Sequence, residues 1–172
     1  GYEGVKIKDV LQMSSGVKFN EDYSDPDSDI NRYFKGFIFG DSQDLFTASL
    51  VNEIPPGTFN RYVSIDTHVL GMILVKATGK SLTDYLQEKI WKPIGAEYNA
   101  FWLADGKDME MANGGLNATL RDFAKFGRLY QNKGNWDGKQ IVPKAWIEAS
   151  TSSLEEYLQV GSKNSAVFGM GY

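Results

Sequence analysis

Tyr62 follows the turn Pro55-Pro56-Gly57-Thr58 and precedes an apolar run, with Ser64 two residues further on. A phenol delivered to a helix start can take up or release a proton in a reaction. Pro-Pro-Gly-Thr is a strong stop-and-turn signal, and Val69, Leu70, Met72, Ile73 and Leu74 fit a helix buried on more than one face, so Tyr62 is expected at the helix mouth. Free tyrosine ionises near about pH 10, so action as a base near neutrality requires adjacent ammonium groups or a concerted proton relay. Arg61 and Lys80 are the cations near it in sequence. Plain packing is the competing reading for a tyrosine in this position.

A hydroxyl nucleophile is weak until a neighbouring base removes its proton. Ser15-Gly16-Val17-Lys18 has the Ser-x-x-Lys spacing at which one helical turn sets an amine beside a hydroxyl. The stretch follows a predicted helix end and contains glycine, so no rigid turn is expected and Ser15 is not read as a nucleophile. His68 is the only histidine. It falls inside the predicted helix, where a structural or partly exposed role is favoured over a Ser-His-Asp triad. Without a second histidine or any cysteine, no metal site is expected. Asp22, Asp25, Asp27 and Asp29 alternate, but the glycine and closing glutamate of a calcium loop are missing, so they read as a solvated loop.

The elements that must position these groups are legible from periodicity and caps. Val5 to Met13 predicts a short helix ending at Ser14-Ser15-Gly16. Residues 18 to 29 form a polar loop with a turn at Asp25-Pro26-Asp27, and Ile30, Tyr33, Phe34, Phe37 and Ile38 mark a helical face. A further short helix is expected over Ser42 to Val51. Gly79 caps the tyrosine helix, and Ser81-Leu82-Thr83-Asp84 begins another that carries Leu82, Tyr85, Leu86 and Ile90. Pro93 and Gly95 end it. Ala100 to Leu103 reads as a strand before an Asp105-Gly106 turn. Thr119-Leu120-Arg121-Asp122 opens a helix with Leu120, Phe123, Ala124, Gly127, Leu129 and Tyr130 on its apolar face. Asn135 to Val142 is a turn with flanking strand residues, and Pro143 suits a first helical position. From Ser150 onward the chain reads as loop until Phe168-Gly169-Met170-Gly171-Tyr172. With no repeat and no low-complexity linker, residues 1–172 are expected to be one helix-rich domain, mainly α with small β elements.

Length and composition agree with this. The 172 residues, 42% hydrophobic and 13% aromatic, suffice to bury roughly 70% of the unfolded surface. Eighteen basic and 22 acidic side chains give a net charge of −4, and no basic stripe matches a phosphate backbone, so no nucleic-acid partner is expected. Cysteine is absent, which excludes disulfides but suits either a reducing or an oxidising compartment. No apolar run approaches the roughly 20 residues of a membrane-spanning helix. The start, Gly1-Tyr2-Glu3-Gly4, carries neither a signal-peptide pattern nor an initiator methionine and reads as internal.

The order Tyr62-Val63-Ser64 resembles the Tyr-x-Asn or Tyr-x-Ser motif of the serine beta-lactamase and penicillin-binding-protein superfamily, in the class C-like branch that includes esterases and 6-aminohexanoate-dimer hydrolases. Leu11-Gln12-Met13-Ser14-Ser15-Gly16 is similar to that family's segment ending in Ser-Gly, and Trp91-Lys92-Pro93-Ile94-Gly95 to its Pro-Leu-Gly turn. Gly114-Gly115-Leu116-Asn117 and the helix to Gly127 resemble its Gly-Gly-Leu segment. The matches cover most of the chain in the family's order.

The resemblance implies the helical lobe of the beta-lactamase/transpeptidase-like α+β fold, with most of the flanking sheet outside these residues. It implies acyl transfer at amide, ester or beta-lactam bonds, with Tyr62 as the proton-transfer residue and Ser64 its polar neighbour. Phe19, Tyr23, Trp102, Gly114 and Gly115 are candidates for contact with a small acyl substrate. Trp136 is a further cleft aromatic. Core packing competes for the aromatics and an ordinary tight turn for the glycines. No cofactor is implied. The family's Ser-x-x-Lys lies upstream of the segment like residues 11–16 and its Lys/His-Thr-Gly downstream of the segment like 167–172. An internal fragment of a larger protein, inactive alone and able to self-associate through uncovered apolar surface, accounts for both being missing. The alternative is a non-catalytic helical binding module, and a two-carboxylate glycosidase is more distant. Periplasmic and cytoplasmic locations are both compatible.

Overall fold

The computed structural model describes residues 1–163; the Phe168–Tyr172 stretch lies outside them. Among the described residues seven α-helices run in the order α1 (Ile7–Leu11), α2 (Asp29–Phe39), α3 (Gln43–Ala48), α4 (Ser64–Thr78), α5 (Leu82–Leu86), α6 (Leu120–Gln131) and α7 (Lys144–Ser150). Two small antiparallel sheets accompany them among the described residues. One pairs β1 (Phe101–Trp102) with β2 (Leu116–Asn117), the other β3 (Asn135–Trp136) with β4 (Lys139–Gln140). The mainly helical architecture with small β elements is the one expected.

Local chemistry explains the boundaries. Ser28, Ser42, Ser81 and Thr119 each accept an N–H from the third residue on, closing one orphan donor at the starts of α2, α3, α5 and α6. Gly40 and Gly79 end α2 and α4 in the left-handed region, at φ 78° and 66°. Asp137 and Gly138, both at positive φ, make the two-residue turn between β3 and β4. Pro143 stands just outside α7, one residue earlier than expected.

Three details differ from the sequence reading. After α5 the chain continues as a π-helical turn, Gln87–Trp91, which alternation cannot reveal because it adds only one residue to the hydrogen-bonded ring. A 3₁₀ turn, Glu156–Leu158, breaks the expected loop, and Leu158 is fully buried. Ile38 and Leu120, assigned to apolar faces, are 77% and 86% exposed. Both sit at helix ends, where a side chain can leave the face without moving the helix.

The main core gathers Val17, Phe19, Ile30, Tyr33, Leu50, Val63, Ile65 and Met111, with Tyr2, Phe34, Phe37 and Phe46 packed against it. Each fully buried aliphatic or aromatic side chain contributes about 1.5–3 kcal/mol. Val63 and Ile65 thus fix the first turn of α4 in the core on either side of Ser64. The chain before them is stitched to the chain after α1. Asn52 Nδ2 donates to the Ser15 carbonyl at 3.1 Å, and Glu53 N and Ile54 N donate to Gly16 O at 2.8 and 3.0 Å. Gly57 N donates to Ser14 O at 2.8 Å, Asn60 Nδ2 to Gln12 O at 2.9 Å and Arg61 N to Met13 O at 2.9 Å.

Gly16 makes that stitching possible. It has φ 75°, and a Cβ there would lie 1.9 Å from the Ile54 carbonyl oxygen. Gly79 shares the left-handed backbone but faces open space. Gly16→Ala should therefore cost about 3 kcal/mol, combining the left-handed penalty with a backbone clash, and Gly79→Ala only about 1 kcal/mol. Urea melts of the two variants check this; equal losses would refute it.

Candidate active site

Tyr62 emerges from the end of the stitched segment two residues before α4 and is half exposed. Ser64 is the first residue of α4 and is buried. The residue at the N-cap, Val63, has no oxygen to offer the helix's orphan N–H groups. Glu21, from the polar loop, supplies it. Its Oε2 accepts the Ser64 main-chain N–H at 3.0 Å, and its Oε1 accepts the Ser64 hydroxyl. The same Oε1 accepts the Tyr23 hydroxyl at 3.0 Å. A carboxylate at a helix N-terminus is also favoured by the helix dipole.

Tyr23 and Ser64 are thereby joined on one carboxylate, and Tyr62 lies two residues before Ser64 in the chain. Partial burial, then the Glu21 carboxylate and the neighbouring Tyr62, hold the Tyr23 phenol above its usual ionisation, while Ser64 acts the other way. Glu21 itself escaped the sequence reading. The helix start lacked a Ser, Thr, Asp or Asn at its cap, and that gap was the only local signal for a capping group from elsewhere.

The other candidates lie apart. Phe19 is 5% exposed within the main core, so its ring serves packing, the competing reading. Trp102 donates its indole N–H to Met111 O at 2.8 Å. It lines an open, mostly apolar groove of about 640 Å³ with Leu74, Leu82, Tyr85, Phe126 and Trp146. Leu74 is ten residues along α4 from Ser64, about 15 Å at helical rise, so this groove is distinct from the tyrosine group. A Cβ at Gly115 would lie 2.8 Å from Met111 O and 2.9 Å from the Trp102 ring. The close approach is thus within the β1–β2 hairpin, and a Cβ at Gly114 would meet open space. Trp136 stacks under the Arg128 guanidinium, 4.8 Å from its ring centre.

Neither nearby cation is held at Tyr62. Arg61 donates to the Val17 carbonyl at 2.8 Å and pairs with Glu53 at 3.1 Å. Lys80 pairs with Glu88 beyond the far end of α4. Ser15 is buried and accepts the Val17 N–H, whereas Lys18 is exposed on an extended stretch. That segment has no helical turn to hold a Ser-Lys pair. The acidic loop holds itself together by Asx contacts: Asp22 accepts from Ser24, Asp25 from Asp27, and Asp29 from Asn20. Among the described residues no cluster of metal-ligating side chains forms.

Two more polar side chains of α4 itself are buried. His68 is fully buried, with Nδ1 3.4 Å from the Tyr33 hydroxyl and Nε2 3.6 Å from Asp44; burial lowers its pKa against the pull of Asp44 and Asp105. Its place is structural. Asp66 is also fully buried and accepts the Tyr2 hydroxyl at 2.7 Å. Burial pushes its carboxyl up to about 6, opposed by Tyr2, Ser15 and the charge of Arg61.

The sequence profile of the beta-lactamase family matches residues 1–172, and the chain belongs to that family. It is 30% identical to 6-aminohexanoate-dimer hydrolase from Paenarthrobacter ureafaciens, over 86% of this chain and 39% of that protein. A solved structure from Bacillus anthracis, described provisionally as a 6-aminohexanoate-dimer hydrolase, superposes with a TM-score of 0.79 at 26% identity, covering 97% of this chain and 46% of that one. The octameric penicillin-binding protein homologue from Pyrococcus abyssi shares the fold, with a TM-score of 0.65 at 22% identity over 98% of this chain and 42% of that one. The chain spans less than half the length of each. Among the described residues no helix is long and apolar enough to cross a membrane.

Asp66 generates a prediction whose sign is fixed. Its folded pKa exceeds the unfolded value of about 4, so the native state binds the extra proton and Asp66's contribution to stability falls as pH rises from about 4 to 6. The loss is on the order of 2 kcal/mol. Asp66→Asn should remove that slope: subtracting its stability-versus-pH curve from the wild-type curve should leave a decline over this window. A flat difference would show that Asp66 titrates normally.

Proposed function

We propose that this chain is a helix-rich portion of a larger serine hydrolase that cleaves amide, ester or beta-lactam bonds through an acyl-enzyme. In this reading a Ser-x-x-Lys from polypeptide beyond these residues supplies the nucleophile. Tyr62 accepts the proton released as the serine oxygen bonds to the substrate carbonyl carbon and passes it to the departing amine or alcohol. Water then attacks the acyl-enzyme and restores the serine. Ser64 is the polar neighbour that helps hold the tyrosine group, and Tyr23 is the aromatic contact for substrate. The groove at Trp102 is too far along α4 to share that role directly.

The observation that carries the reading is the setting of Tyr62. It is half exposed at the mouth of a helix whose first turn is locked into the core, beside a hydroxyl pair gathered on one carboxylate. A tyrosine serving only to pack would be buried with its neighbours Val63 and Ile65. The membership in the beta-lactamase family and the similarity to a 6-aminohexanoate-dimer hydrolase support the same chemistry. Arg61 and Lys80 are engaged elsewhere, so in this reading neither is the cation that favours a phenolate.

Three measurements test the proposal. In the complete protein, Tyr62→Phe should lower kcat for nitrocefin or a p-nitrophenyl ester by about 10²–10⁴, the range for a lost general acid-base group, while leaving the melting temperature within a few degrees. The isolated 172 residues should show no turnover. A fluorophosphonate should label the complete protein and not this chain; rapid labelling at Ser15, or a Tyr62→Phe variant as active as wild type, would overturn the assignment.

A further inference from the structure

The Glu21 carboxylate receives three donors that belong to the tyrosine group: the Ser64 main-chain N–H, the Ser64 hydroxyl and the Tyr23 hydroxyl. A serine or tyrosine hydroxyl carries one proton and can otherwise only accept. Once that proton is directed to Glu21, both Ser64 and Tyr23 face any other partner as acceptors. Among the described residues no hydrogen bond engages the Tyr62 hydroxyl.

We infer that Glu21 is a positioning residue that fixes the proton polarity of the site, directing the hydroxyl protons of Ser64 and Tyr23 to one carboxylate and leaving Tyr62 as the one hydroxyl of the three without a hydrogen-bond partner among the described residues. The inference rests on the reading of Tyr62 as the proton-transfer residue and adds the reason why it, and not its two hydroxyl neighbours, holds that role. Competing donors would offer alternative proton paths and would scatter the orientation of the group. A single acceptor at the helix mouth removes both.

Glu21 is built to stay in place. Phe19, two residues before it, is anchored in the core, and Asn20 links the loop to α2. Its main-chain N–H donates to Asp29 at 2.8 Å, its carbonyl accepts the Ile30 N–H at 3.1 Å, and its side chain receives Asp22 N at 3.0 Å. Asn31 Nδ2, from α2, donates to the Tyr23 carbonyl at 3.1 Å and the Asp25 carbonyl at 2.7 Å. The loop bearing Glu21 and Tyr23 is therefore a braced ledge, and its carboxylate reaches α4 at a defined position.

Glu21→Gln keeps the shape but brings an amide that can donate. In the 172-residue chain, ¹³Cζ-tyrosine NMR should show the Tyr23 titration midpoint fall on this substitution, because the nearby anion is lost. An unchanged midpoint would refute the contact independently of any activity. In the complete protein, the substitution should lower kcat for a p-nitrophenyl ester about tenfold, with KM within about twofold. In a Tyr23→Phe/Ser64→Ala background, where no hydroxyls remain to orient, the same substitution should change kcat less than twofold. If the full loss persists there, or if Glu21→Gln lowers only the melting temperature, Glu21 is a helix cap and not a positioning residue. A Tyr62→Phe variant that retains activity would instead defeat the functional reading, while the Tyr23 titration would still report on Glu21.

Discussion

Helix α4 begins with N–H groups that its own sequence cannot satisfy, and the arrangement around it follows from how that demand is met. Val63 at the cap is needed in the core, where it and Ile65 fasten the first turn, so it cannot also be the polar residue that a helix start prefers. A carboxylate from another segment takes over. Bringing Glu21 to that point fixes the path of the 18–28 loop, and the path of the loop sets Tyr23 beside Ser64. The core requirement and the polar requirement are met by different residues, and Tyr62 stands where the two meet.

The stitching of residues 52–61 to residues 12–17 works in the same direction. Both segments are irregular, and their main-chain groups find partners in one another instead of in a helix or sheet. This is why the Ser-Gly segment and the tyrosine motif keep a fixed relation despite lying more than forty residues apart. A backbone approach this close leaves no room for a side chain at position 16.

Much of the fold was legible because it is written locally. Ser81 and Thr119 announce helix starts by their own hydroxyls, Gly79 a helix end by its tolerance of positive φ, and Asp137-Gly138 a tight hairpin. The place of Tyr62 just before α4 was legible for the same reason, since a proline turn followed by an apolar run needs no distant partner to be recognised. Glu21 was not, because nothing near it in sequence distinguishes it from the aspartates of the same loop. Its partner is 43 residues away. Phe19 misled for a related reason: in sequence it borders a polar loop, but in space it is the point where that loop plugs into the core.

The hydrogen bond from Tyr2 to Asp66 links the extreme start of the chain to the second residue past Ser64. Tyr2 is the donor at Oδ1 of a carboxyl that would otherwise be buried with less compensation. A change at Tyr2 is thus not confined to its own surroundings. Losing its hydroxyl would withdraw the donor from a buried carboxyl of α4 sixty-four positions downstream, and a poorly behaved sample would then be easily mistaken for a defective site.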